Sequence, residues 1–164
     1  MEKKEKCLSS KTIYEGRILT LKKDSVLLPD GKEAIREVVR HVHGACILAI
    51  DEERNVIMER QYRYPYDEVV LELPAGKAEP EEDPQKTAFR EFEEETGYKA
   101  DRMRLLGEFY PSCGYTDEII YLYLAEGLKR GLRHLDADEN LTVLRIPLDE
   151  VIQMMKEGKI KDGK

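Results

Sequence analysis

The sequence contains no tryptophan, and only three phenylalanines, three histidines and three cysteines. The cysteines, Cys7, Cys46 and Cys113, are odd in number, far apart and without C-x-x-C spacing. That excludes a disulfide framework or a zinc knuckle and fits buried or free thiols in a reducing cytoplasm. His41 and His43, a pair of strand histidines, could be pH-sensitive or bind metal and are read as structural. No apolar run approaches the roughly 18 residues of a membrane span. Met1 to Lys6 is charged and leads into no apolar segment, so neither a secretory signal nor a membrane partner is expected. An excess of basic charge is missing too: 34 acids face 27 bases, a net charge of -7, which argues against a nucleic-acid partner.

A single domain suits the 164 residues, of which 41% are hydrophobic. The charge is concentrated. Glu79 to Glu95 holds eight acids against two bases, which accounts for six of the seven net negative charges.

Along the chain, Lys11 to Leu28 and Glu33 to Val42 read as an N-terminal β-meander punctuated by Glu15-Gly16 and Pro29-Asp30-Gly31. Ala45 to Ile50 is a continuous apolar run suited to a buried strand. Further strands are expected at Asn55 to Gln61, Val69 to Leu73, Leu105 to Tyr110, Glu118 to Leu124 and Thr142 to Ile146. Leu73-Pro74-Ala75-Gly76 breaks the strand pattern. Asp83-Pro84 is a helix start and Gly97 a stop, bounding a helix of about 13 residues. A second helix is expected from Pro147 through Lys156, ended by Gly158. Strands around two separated helices point to an α/β or α+β sandwich with a mixed sheet.

On the first helix Glu91, Glu94 and Glu95 share an arc of about 100°, with Phe89 and Phe92 on an adjoining apolar face. The arrangement is costly. Like charges four residues apart destabilise a helix by roughly 0.2–0.5 kcal/mol per pair, and the helix C-terminus disfavours negative charge. A solvated acidic face is one reading. Ligation of a hard divalent cation, which takes several oxygen donors, is the other.

The surrounding frame decides between them. Gly76, Glu82 and Arg90-Glu91-Phe92-Glu93-Glu94-Glu95-Thr96-Gly97-Tyr98 stand in the spacing G-x5-E-x7-R-E-U-x-E-E-x-G-U, with all seven fixed positions present. The pattern resembles the box of the Nudix hydrolase family, the two U positions being aromatic here. Gln61-Tyr62-Arg63-Tyr64, Leu71 to Gly76 and Phe109 to Glu118 are similar to its ADP-ribose pyrophosphatase-like subgroup, which acts on nucleoside diphosphate sugars. Cys113 stands where that subgroup has proline, and Pro111 lies two positions earlier.

The resemblance implies a Nudix-type α/β/α sandwich with a mixed central sheet and an N-terminal antiparallel β-meander. Residues 1–43 would supply strands for dimerisation and the substrate site, and residues 44–164 the catalytic domain. It implies Mg²⁺ or Mn²⁺ as cofactor, with Glu91, Glu95, Glu94 and the Ala75 carbonyl as ligands. Arg90 would orient the carboxylates and Glu82 would order the loop, while Gly76 would permit a tight turn. Arg63 would pair with substrate phosphates. Glu72 would either bind metal or orient Arg63, or form an ordinary buried salt bridge. Tyr110 and Tyr115 would stack on a base or ribose, or else be core, and Glu118 would line the substrate site. Glu139, in Leu135 to Asn140, would be the general base or a solvated loop acid, with Glu94 the box alternative. The implied activity is hydrolysis of ADP-ribose or a related nucleotide sugar by a cytoplasmic homodimer with exchanged N-terminal strands. Action on another nucleotide, or a sensor without turnover, are the rival readings.

Overall fold

The computed structural model describes residues 3–135 and 139–164. The chain divides into two compact units. The first runs through Val42 and includes Tyr110–Ile119; the second comprises His43–Phe109 and Ile120–Lys164.

In the first unit β1 (Lys6–Glu15), β2 (Leu19–Leu27) and β3 (Glu33–His41) form an antiparallel sheet in that order. The turn at Gly31, with φ of 85°, needs the left-handed conformation that glycine adopts without penalty. β1 begins five residues before the expected start at Lys11, and all ten of its residues are exposed. The segment 110–119 is fastened to β3. The Val39 amide donates to the Tyr115 carbonyl at 2.7 Å, and Asp117 accepts from Arg40 Nη1 at 2.8 Å and from the His41 amide at 3.0 Å.

The second unit carries both helices, α1 (Pro84–Thr96) and α2 (Leu148–Lys156). Its four-stranded sheet runs β7 (Ala75–Lys77), β4 (Gly44–Ala49), β10 (Ile120–Glu126), β9 (Arg102–Phe109). The sheet is mixed, since β4 and β10 are parallel and the other pairs antiparallel. A second sheet runs β12 (Leu141–Pro147), β5 (Asn55–Arg63), β6 (Glu68–Glu72), all antiparallel. β8 (Tyr98–Lys99) pairs with β11 (Lys129–Arg130).

Alternation along the strands sorts side chains to two faces. Ala45, Ile47 and Ala49 of β4 and Ile57 of β5 pack with Ala88 and Phe92 of α1, Met103, Tyr123 and Ala125. Val56 and Met58 of β5 pack on the other side with Leu71, Ile146 and Val151 of α2. Each helix thus covers an opposite face. This is the mixed α/β fold the sequence implied, rich in strands.

α1 starts and stops where its punctuation predicts. Asp83 Oδ1 caps the Gln85 amide at 2.9 Å, Pro84 opens the helix, and Gly97 at φ 70° returns its N–H to the Glu93 carbonyl. Phe89 departs from expectation. It is exposed, and Phe92 alone of the pair is buried. The buried rows of α1 are Thr87-Glu91-Glu95 and Ala88-Phe92-Thr96, so the acidic row itself faces inward. Three short strands, β7, β8 and β11, were not expected; two or three residues are too few to show a period.

Candidate active site

β7 brings the start of the box against α1. Gly76 pairs with Ala45 of β4, and the Glu91 carboxylate lies directly over it. A Cβ built on Gly76 would fall 1.9 Å from Glu91 Cδ. Gly76 does not have a positive φ. The expectation of a glycine-dependent tight turn is therefore corrected: the position needs glycine for clearance, because Glu91 occupies the space a side chain would take.

Arg90 ties the loop to the helix. Its Nε and Nη2 donate to Glu82 at 3.1 and 2.9 Å, its Nη1 to Glu91 at 2.8 Å and Glu94 at 3.0 Å, and its Nη2 also to the Lys77 carbonyl. Glu82 accepts in addition from Thr87 Oγ1 and the Glu79 amide. The Arg90 hydrogen bonds hold its carboxyl down to about 2.

Glu95 is 4% exposed and accepts the Ala75 amide at 3.0 Å. Burial, then the charges of Glu59, Glu91 and Glu139, push its carboxyl up, against that one hydrogen bond. Burial likewise raises Glu91 to about 7, with Arg90 opposing and Glu94 and Glu139 adding to the shift. Glu139 is half-buried, and its charge reaches Glu59, Glu91 and Glu95 alike. The adjoining Asp136, Ala137 and Asp138 lie outside the described residues. The approach to Glu139 is tied to the helix end: the Glu94 carbonyl accepts the His134 amide, and the Glu95 carbonyl accepts Arg133 Nε at 2.7 Å.

The sheet supplies more carboxylates. Glu72 is 2% exposed and accepts Arg63 Nε and Nη2 at 2.8 and 2.7 Å, a bidentate pair. Lys164 Nζ also reaches Glu72 at 2.8 Å and Asp162 at 2.9 Å. Directly across the strand pair from Glu72 stands Glu59, also 2% exposed. The sequence reading missed Glu59, Arg133 and Lys164. For Glu59 the signal was there: a charged residue ends the apolar run Val56-Ile57-Met58 and shares the α1-facing side of β5 with Ile57.

The structure therefore gathers Ala75, Gly76, Glu91, Glu94, Glu95, Arg90, Glu82, Arg63, Glu72 and Glu139 in the second unit. Tyr115 and Glu118 belong to the first unit. Tyr110 and Tyr115 are exposed there, which sets aside the core reading. Glu118 Oε1 stands 3.6 Å from His41 Nδ1.

A divalent cation of the kind the box implies suits this donor set. Among the described residues no three His, Cys, Asp or Glu side chains already stand as a cage. Arg90 holds Glu91 and Glu94, and the Ala75 amide holds Glu95. The chemistry still fits. The donors are hard carboxylate oxygens, Glu91 and Glu95 are buried with Glu94 more open beside them, and among the described residues Glu59 Oε1 has no hydrogen-bond partner.

Comparison with known proteins agrees with this geometry. Residues 40–163 match the family model described as NUDIX domain, and residues 5–39 that of a nucleoside diphosphate sugar hydrolase N-terminal domain. The chain is 44% identical over 162 residues to a methanol dehydrogenase activator of Bacillus methanolicus, covering 98% of this chain and 88% of that protein. It is 38% identical to an ADP-ribose pyrophosphatase of Bacillus subtilis with the same coverage. A crystal structure of an ADP compounds hydrolase superposes with a TM-score of 0.83 at 22% identity, over 93% of this chain and 83% of that one, which is a likeness of fold. The chain belongs to the NUDIX domain family, and it is a pyrophosphohydrolase of that family.

Proposed function

We propose that the chain hydrolyses the diphosphate bond of ADP-ribose or a related nucleoside diphosphate sugar, releasing a nucleoside monophosphate and a sugar phosphate. The observation that carries the reading is the inward-facing Glu91–Glu95 row of α1, seated on Gly76. The N-terminal match to nucleoside diphosphate sugar hydrolases supports the substrate class.

Glu91, Glu94, Glu95 and the Ala75 carbonyl would hold Mg²⁺ or Mn²⁺. Such an ion, when bound, offsets the diphosphate's negative charge and acidifies water. The chain's own residues do the rest. Arg90 keeps Glu91 and Glu94 side by side. Glu72 fixes the plane of the Arg63 guanidinium for bidentate recognition of phosphate oxygens. Glu139, or Glu94 in its place, accepts the proton of the attacking water. One bridging P–O bond breaks as the new P–O bond forms. Tyr115 and Glu118 contact the nucleotide or sugar. The protein acts in the cytoplasm as a homodimer that exchanges its N-terminal strands; the exposed Leu8, Ile13 and Ile35 of that sheet support this reading, and light scattering of the purified chain tests it.

The test of the activity is product identification from ADP-ribose, ADP-glucose, GDP-mannose and UDP-glucose, with Glu95→Gln alongside. AMP release from ADP-ribose with Mg²⁺ is expected. In the variant it falls on the order of a hundredfold or more, because charge stabilisation by a bound ion is worth several kcal/mol. A wild-type rate with unchanged Mg²⁺ dependence would refute the assignment. A second reading, activation of a methanol dehydrogenase, rests on the 44% identity to the Bacillus methanolicus protein. It is tested by adding the chain to such a dehydrogenase.

A further inference from the structure

Glu59 is a poor choice of residue for a purely structural position. It follows Val56, Ile57 and Met58, all buried, and its neighbours across the sheet are Val143 on β12 and Glu72 on β6. Like charges directly opposite on neighbouring strands repel. A carboxylate removed from water without a partner costs several kcal/mol as an order of magnitude. Glu72 answers that cost with Arg63 and Lys164. Glu59 is 2% exposed, and among the described residues its Oε1 has no hydrogen-bond partner.

The nearby cations make their hydrogen bonds elsewhere. Arg63 is spent on Glu72, and Arg133 donates to the carbonyls of Glu95 and Leu141. The charges of Glu72, Glu139 and, reciprocally, Glu95 act against ionisation of Glu59, and those of Arg133 and Arg63 offset them only in part, since burial and its acidic neighbours still push its carboxyl up. An apolar residue would hold this strand with less cost, and among the described residues no cation hydrogen-bonds the buried Oε1 of the acid at 59. Its side chain points from β5 toward α1, where the box carboxylates sit.

We propose that Glu59 is a further oxygen donor to the divalent cation of this site, contributed by β5 alongside Glu95 of α1. The proposal rests on the reading above that the site takes such a cation. It adds a ligand from outside the box motif, on the strand that also carries the core residue Ile57 on the same face.

The test uses the full chain with Mn²⁺ alone. The free ion is followed by electron paramagnetic resonance, and thermal melts are run with and without metal. Four variants are compared: Glu59→Gln, Glu59→Leu, Glu59→Asp and Glu95→Gln. Leu fills the space with no polar atom to satisfy, so it guards against misfolding of the amide variant. Gln and Leu at 59 are expected to weaken Mn²⁺ binding by about 10–100-fold, while the metal-free Tm holds or rises. Asp should recover part of the affinity. Wild-type affinity in both Gln and Leu variants, with binding lost in Glu95→Gln, overturns the role of Glu59 and leaves the cation site standing. A lower metal-free Tm in both with affinity unchanged marks a structural acid and overturns it too. No Mn²⁺ binding by the wild type overturns the cation reading and this proposal together.

Discussion

Gly76 and Glu91 show how the absence of one carbon shapes a site. The Glu91 carboxylate lies where a Gly76 Cβ would be, at 1.9 Å. Gly76→Ala should therefore displace Glu91 or β7, while the fold, anchored by Phe92 and β4, survives. Activity is expected to fall by at least about tenfold, the loss typical when the support of a metal ligand is disturbed, with a near-native circular dichroism spectrum. Activity within twofold of wild type would show that the clearance is not needed. Arg90 works on the same scale. One guanidinium spans Glu82, Glu91 and Glu94, so the arginine and glutamate of the box act as a single tie between loop and helix.

At the scale of the element, α1 joins two kinds of burial on one surface. Its Ala88-Phe92-Thr96 row anchors the helix, and its Thr87-Glu91-Glu95 row carries the chemistry. The anchor must offset the cost of the acids beside it. Phe92→Ala should destabilise the protein by about 3–5 kcal/mol through the cavity it leaves. Asp83→Ala should cost about 1 kcal/mol through loss of the cap on the Gln85 amide. Urea denaturation of the two variants checks the ranking; equal midpoints would contradict it. The caps of this helix were readable beforehand, because Asp83, Pro84 and Gly97 act on their own neighbours. The exposure of Phe89 was not, because a wheel gives angles between side chains and not which arc meets the sheet.

For the whole molecule, the acidic window is a question of charge and water. Burial lifts the carboxyl of Glu91 to about 7 and those of Glu59 and Glu95 upward as well. The folded state then holds protons that the unfolded chain, with carboxyls near about 4.3, releases. Stability from this source is full below the unfolded value and is lost as pH rises through the folded ones. The metal-free Tm should therefore fall between about pH 5 and pH 8. Millimolar Mg²⁺ should raise Tm, and more at pH 8 than at pH 5, since protons compete for the same oxygens. A differential scanning series across that range decides it. A flat metal-free profile, or an Mg²⁺ effect larger at pH 5, would be the contrary result.

Spacing along the chain was enough for the family, the box and the ends of α1. Each of these depends on residues within a few turns of one another, and their chemistry is carried by residue type and interval. The four-stranded mixed sheet, the inward turn of the acidic row, the clearance at Gly76 and the opposition of Glu59 to Glu72 came only with the tertiary structure. Glu59 and Glu95 stand far apart in sequence and feel each other's charge because Ile57 of β5 and Phe92 of α1 share one core. Burial is a property of that packing, and burial is what turns ordinary glutamates into groups that call for a cation.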